Sequence, residues 1–279
     1  MHTENLFAPS FLYCDDLNQG KLMKTLLITN IKGGVAKSST AVAVAAGIKM
    51  LNPSAKVLLI DGDPQGSIKT YFGLKLGSNQ NEDFSSFLIE DTPFESCIQP
   101  IETDWGKIDV MISSRKLSEA DQRMAAFPRR EETLRMRFKK QNIDYDYCVI
   151  DSSPAMNLVL LNFMTFADKW LIPAQMDAFS VSNINYLFEQ RKIIEEFFDK
   201  KVEIIGILPT MFDKRTMVAQ SALEAVKKLY GDKCTIFEPI PVDSVVKKAQ
   251  VKRQIIYEFE NSKASIAYKG LSQQILKEI

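Results

Sequence analysis

"TNIKGGVAKSST", residues 29–40, places two lysines five positions apart around a pair of glycines, then three small hydroxyl residues. It leaves the apolar run "TLLIT" (25–29) and opens "KSSTAVAVAAGIKML" (37–51), a helical stretch rich in small residues. A buried strand turning into a helix through paired glycines is the local context of a phosphate-binding loop. The glycines let successive backbone N–H groups face one concavity, and the helix N-terminus adds its positive end. Lys37 then stands as a point charge for the β- and γ-phosphates, and the Ser38 hydroxyl as a ligand for Mg²⁺. The run departs from G-x-x-x-x-G-K-[ST] at both outer glycines, where Ile31 and Ala36 stand. An ordinary glycine-containing turn is the plain alternative.

Outward from the loop, apolar runs at 56–61, 108–113, 147–152, 169–174 and 202–210 read as strands. Stretches 115–126, 130–140, 157–167, 180–199, 216–229 and the C-terminal run 262–279 read as helices. Continuous Val/Ile/Leu strands alternating with helices predict an α/β fold, a mostly parallel twisted sheet with helices on both faces. Ligands of such sheets bind at the carboxyl ends of the strands. With no repeat, linker or low-complexity run, residues 23–279 read as one domain, preceded by an aperiodic N-terminal extension over 1–22.

Lys plus Arg equals Asp plus Glu at 35 each, so any nucleic-acid contact needs a local patch rather than overall charge. Cys14, Cys97, Cys148 and Cys234 are dispersed without a C-x-x-C pair, and read as reduced thiols. His2 is the lone histidine, which argues against histidine-based catalysis or a histidine-ligated metal. The apolar runs fall short of a membrane span and the N-terminus has no signal-peptide core, so a cytoplasmic location is expected.

Two further segments carry carboxylates. "VLLIDGDPQGS" (57–67) ends a strand in Asp61 and Asp63, which period-two geometry puts on one side. "YDYCVIDSSPAMN" (145–157) is an apolar strand closing in Asp151, able to hold a magnesium-bound water beside Ser38, although a carboxylate capping the next turn fits the segment equally well.

"KGGVAKSS" (32–39) resembles the deviant phosphate loop of the ParA/MinD ATPases, K-G-G-x-x-K-[ST], which never required the outer glycines. "DGDPQGS", "LIPAQMDAFSVSNINYL" and "ILPTMFDKRT" are similar to further family segments, and the resemblance spans roughly 24–279. It implies an ATP and Mg²⁺ site built from Lys32, Gly33, Gly34, Val35, Ala36, Lys37, Ser38 and Ser39, with Lys37 acting in cis and Lys32 reaching the partner's nucleotide. It gives Asp63 the attacking water, puts Asp61 and Asp151 with Ser38 at the metal, and sets Pro209, Thr210, Met211, Pro241 and Val242 around adenine.

The same resemblance implies a homodimer in the ATP state that binds DNA non-specifically, is associated with the nucleoid and is released when a ParB-like or adaptor protein stimulates a slow hydrolysis. "VVKKAQVKRQII" (245–256) supplies Lys247, Lys248, Lys252 and Arg253 for DNA, and Arg215 matches a DNA-contacting position. The chain departs from the family at Ala36, commonly Gly, at Val242-Asp243, commonly Arg-Asn, and at Arg253, often Gly. A MinD-like membrane protein is disfavoured, because "LSQQILKEI" is a poor interfacial anchor. A reductase of the nitrogenase iron-protein type is disfavoured too, for want of cluster cysteines. A nucleotide-gated module with little turnover stays open through Ala36, and the cargo is not legible.

Overall fold

The computed structural model describes residues 23–76, 82–141 and 143–279, so the expected extension 1–22 lies outside the described residues. β1 (Lys24–Ile28) leads through the glycine loop into α1 (Lys37–Leu51), followed by β2 (Val57–Gly62), α2 (Ser67–Phe72) and α3 (Phe84–Glu90). Then come β3 (Gln99–Thr103), β4 (Gly106–Met111), α4 (Ala120–Arg123), α5 (Thr133–Lys140), β5 (Tyr147–Ser152), α6 (Leu158–Phe166) and β6 (Lys169–Gln175). α7 (Ser180–Phe198), β7 (Glu203–Thr210), α8 (Met217–Tyr230), β8 (Thr235–Ile236), α9 (Ser244–Lys252) and α10 (Lys263–Glu278) complete the chain.

The strands form one sheet in the order β3-β4-β2-β5-β1-β6-β7-β8. Its neighbours pair in parallel except the β3–β4 hairpin. The chain winds to one side of β1 through β2 to β5 and to the other from β6 onward. The loop after β1 therefore lies where the winding reverses, the usual ligand position of open parallel sheets.

Strand parity explains the two-sided core. Leu27, Leu58, Ile60, Ile150 and Trp170 face one layer with residues of α3, α5, α6, α7 and α8. Leu26, Ile28, Leu59, Val149 and Leu171 face the opposite layer with α1 and α10. Burying each such Leu or Ile fully contributes about 1.5–3 kcal/mol.

The helix after the loop is rich in small residues because it is crowded. Ala41, Ala43, Ala45 and Ala46 are buried, and α10 crosses at Gly47. The Tyr257 hydroxyl donates to the Ala43 carbonyl at 2.8 Å.

Several readings of the sequence change, and α2, α3, α9 and β8 are elements it did not mark. The helix expected over 115–126 is a tight turn over Arg115–Glu119 followed by α4, because the Ser114 hydroxyl accepts from the Lys116 amide and draws the chain into a 3₁₀ start. The helix expected over 130–140 begins with a 3₁₀ turn at Arg130–Glu132. The edge strand β3 was not expected, since "QPIET" has a single apolar residue between its polar ones and a proline. No helix among the described residues is long and apolar enough to cross a membrane.

A methyl group on Gly47 would stand 2.1 Å from Ser272 Oγ and 2.8 Å from the Tyr257 hydroxyl. Overpacking of that kind costs about 1–3 kcal/mol, against a gain in helix propensity of about 1 kcal/mol. Gly47→Ala is expected to lower the unfolding free energy by up to about 2 kcal/mol on that balance, read from the urea midpoint.

Candidate functional site

The loop between β1 and α1 is braced from beneath. The Asn30 side chain donates to the Pro173 carbonyl at 2.8 Å and accepts from the Lys32 amide at 2.9 Å. The Thr210 hydroxyl donates to the Val35 carbonyl at 3.1 Å. Gly34 (φ 74°) and Ala36 (φ 63°) both take the left-handed conformation, and Ala36 sits directly before α1. At Ala36 this is strained, because the Cβ crowds the following carbonyl.

Lys37 opens α1 and turns inward, its ammonium donating to the Lys32 carbonyl across the loop at 3.0 Å. Burial lowers its pKa, while Asp151 and Asp63 pull it back up. Lys32 points elsewhere: its ammonium forms an ion pair with the Asp177 carboxylate, in the loop after β6. Partial burial would raise the Asp177 carboxyl, but hydrogen bonds from Lys32 and the Phe179 amide outweigh it and hold the group low.

The carboxylates divide their tasks. Asp61 and Asp151 lie side by side in the parallel register of β2 and β5, both fully buried. Asp61 accepts from the backbone amides of Asp63 (3.2 Å), Ile68 (3.1 Å) and Lys69 (3.4 Å). Those amides fix the carboxylate in the turn between β2 and α2, which it helps to organise. Burial pushes the Asp61 carboxyl up to about 6.

Asp151 has no such help, and both its carboxylate oxygens are buried without a hydrogen-bond partner. Burial first, and then the neighbouring Asp61, drive its pKa well up, while the adjacent Ser38 hydroxyl and the Lys37 ammonium pull it down. An orphaned carboxylate beside a hydroxyl at a helix N-terminus fits Mg²⁺, which takes one or two protein oxygens and keeps its waters. Asp63 stands nearer solvent, where its carboxylate accepts from the Gln65 amide at 2.9 Å and its carbonyl from the Ser113 hydroxyl.

Lys37, Ser38 and Asp63 line a cleft of about 960 Å³ at the carboxyl end of the sheet, while Lys32, Asp61 and Asp151 do not reach its surface. The loop from Gly33 to Ser39 forms one wall, with Asp63 and Gln65 beside it. Met211, Ile240, Pro241 and Val242 form the cleft's apolar end. Pro209 and Thr210 do not line it. Pro209 is buried in β7 opposite Ala174, and the Thr210 side chain is spent on the Val35 carbonyl. Val246, Lys247 and Gln250 of α9 close the cleft from above. Sequence reasoning missed Gln65, Asp177, Ile240 and Gln250.

The four residues of the basic run are all exposed and have different neighbours. Lys247 lines the cleft, and Lys248 lies over the Phe259 ring, 5.5 Å from its centroid. Lys252 is exposed one turn further on. Arg253 ends α9 in the left-handed conformation (φ 57°), with its guanidinium against Gly73. Glycine is favoured at such a helix end, which accounts for the family's preference there. Arg215 is exposed but doubly hydrogen-bonded to Asp213, at 2.9 and 2.7 Å.

A strand-loop-helix that turns a lysine and a serine toward an orphaned aspartate at a sheet's switch point defines a P-loop nucleotide-binding protein. Residues 23–204 match the family model of an AAA domain. The chain belongs to that family, within the ParA/MinD group. It is 28% identical over 258 residues to the chromosome partitioning protein ParA of Myxococcus xanthus, covering 91% of this chain and 88% of the relative. The ATP complex of a Cyanothece McdA variant superposes with a TM-score of 0.82 at 22% identity, over 92% of this chain and 98% of the other. Cobyrinic acid a,c-diamide synthase of Mycobacterium smegmatis with bound ADP and magnesium gives 0.76 at 23% identity, over 92% and 95%.

Relief of left-handed strain at position 36, about 1–2 kcal/mol, is offset by the chain entropy of glycine, about 0.5–1 kcal/mol. Ala36→Gly is therefore expected to stabilise the chain by about 0.5 kcal/mol on those terms, measured by chemical denaturation. The buried carboxyls give a pH signature in the absence of metal and nucleotide. A carboxyl raised in the folded state adds stability that is complete below its unfolded value, about 3.9, and lost as pH rises through the folded one. The Asp61 contribution is therefore lost as pH rises through about 6. Asp61→Asn is expected to flatten the stability–pH curve between those values, and an unaltered slope would contradict the shift.

Proposed function

We propose that this chain is a ParA-type partition ATPase. It binds ATP with Mg²⁺ at the loop 30–38, pairs face to face with a second copy, holds DNA non-specifically as the dimer and lets go on hydrolysis. The observation that carries this reading is Asp151, a fully buried carboxylate with neither oxygen partnered, beside Ser38 and Lys37 at the start of α1. Such a group is costly in a bare sheet end and becomes useful when a divalent cation and polyphosphate arrive. The ATP- and ADP-bound relatives of the same fold support the ligand, and the partitioning relatives support the role. The fold alone leaves the role open, since a cobyrinic acid amidating enzyme shares it.

In this reading Lys37 exchanges its bond to the Lys32 carbonyl for phosphate oxygens. The backbone amides of the loop hold the same oxygens, and Ser38 with Asp151 would hold Mg²⁺, whose charge offsets that of the phosphates. Asp63, beside the cleft on its braced turn, aligns the water that attacks the γ-phosphate. Lys32 leaves Asp177 to reach the partner's nucleotide. The Met211–Val242 wall receives the base. Lys248 and Lys252 on the outer side of α9 are the DNA-facing charges, doubled in the dimer, and a partner protein that stimulates hydrolysis resets the cycle. The cell's nucleoid is where such a protein would reside.

Lys37→Ala should abolish nucleotide binding, whereas Lys32→Ala should keep binding and lose ATP-dependent dimers, both followed by calorimetry and light scattering. Asp63→Ala should trap the dimer. Retention on DNA across a salt series, with ADP, ATP and a non-hydrolysable analogue, tests the whole cycle. A steep salt slope with triphosphate alone supports it, and retention indifferent to nucleotide removes it.

A further inference from the structure

α9 is held by hydrogen bonds at its two ends, packs on the core through Ala249, and makes one side-chain hydrogen bond from its middle to α1. At its start the Asp243 carboxylate accepts from the Val245 amide at 2.9 Å and from the Ala264 amide of α10 at 3.1 Å. At its far end the Gln254 carbonyl accepts from the Tyr71 hydroxyl at 2.7 Å. Ala249 is the buried residue of the helix. The central contact is Gln250, whose side-chain amide donates to Ser39 Oγ in the first turn of α1 at 3.0 Å. This bond joins residues 211 apart in sequence, both of which line the cleft.

We propose that Gln250 is the positioning residue through which occupancy of the cleft sets α9, and with it the outward face carrying Lys248 and Lys252. The inference rests on the cleft being a nucleotide site. The chemistry lies in the Ser39 hydroxyl, which has one proton and two lone pairs. With the cleft empty it accepts from Gln250. A phosphate oxygen arriving beside the first turn of α1 takes the Ser39 proton as a hydrogen bond, leaving a lone pair for the Gln250 amide. The resulting chain, Gln250 N–H to Ser39 O–H to phosphate oxygen, polarises along its length, so each link strengthens the next. Occupancy therefore tightens α9 rather than releasing it. Any nucleotide that puts a phosphate there suffices, so the effect precedes pairing of two copies and is separable from it.

Hydrogen exchange of the amides of 244–252 tests this in the full chain, with and without saturating ADP–Mg²⁺ or a non-hydrolysable ATP analogue, saturation being set by calorimetry for each variant. One strengthened hydrogen bond predicts exchange about two- to tenfold slower with either nucleotide in the wild type. In Gln250→Ala that slowing should vanish at saturation, whatever the baseline rate, which a merely structural role would not produce. Gln250→Glu puts a negative charge next to the phosphate and should bind ADP at least about tenfold more weakly than Gln250→Ala. Slowing that persists in Gln250→Ala overturns the proposal. So does unchanged wild-type exchange with nucleotide bound, or equal ADP affinity in the two variants. Absence of any binding in the calorimeter refutes the nucleotide site itself and is read apart from the exchange data.

Discussion

Two acids end neighbouring strands of this sheet in register, in a place water does not reach. Like charges at such separation in a poorly polarisable medium cannot both ionise freely. The chain resolves this unequally. Asp61 is given three amide donors and becomes part of the scaffold, while Asp151 is given none. What surrounds Asp151 follows from that asymmetry: the positive start of α1, a lysine folded over the loop and a serine hydroxyl within reach. The buried carboxylate leaves a local deficit of positive charge, of the kind a divalent cation would make up.

Much of this arrangement was legible in the residues. Buried parallel strands announce themselves as unbroken apolar runs, and α1 begins and ends where its pattern of small residues begins and ends, at Lys37 and Leu51. The paired glycines marked the loop for a physical reason, since Gly34 takes a conformation that side chains resist. Other features depended on distant partners that no local pattern encodes. Nothing in "IDGDPQG" tells which aspartate will be taken by backbone amides, and nothing in "MDAFS" names Lys32 as the partner of Asp177. β3 has too few apolar residues to be seen as a strand, because an edge strand covered on one side needs fewer. The start of α3 was readable but overlooked: Asp83 and Ser86 exchange hydrogen bonds in a capping box.

The basic run shows how sequence proximity differs from surface proximity. Four cations within seven residues suggest a patch, yet a helix turns each residue about 100° from the last, so neighbours diverge. Lys247 and Lys248 are consecutive, and one lines the cleft while the other lies over an aromatic ring outside it. α9 thus has one side toward the ligand and the other toward solvent. In that position a helix belongs to both surfaces at once.

The flanks of the sheet have their own consequence. One margin is β3, five residues long with Pro100 and Glu102 in it, and the other is β8, two residues long. Proline removes a ladder donor and charge repels a flat neighbour, so neither margin templates another strand. Both margins are thereby blunted against growth into continuous ribbons through shared backbone ladders. A contact between copies would then fall to side-chain surfaces, which mass action takes apart more readily than a shared backbone ladder.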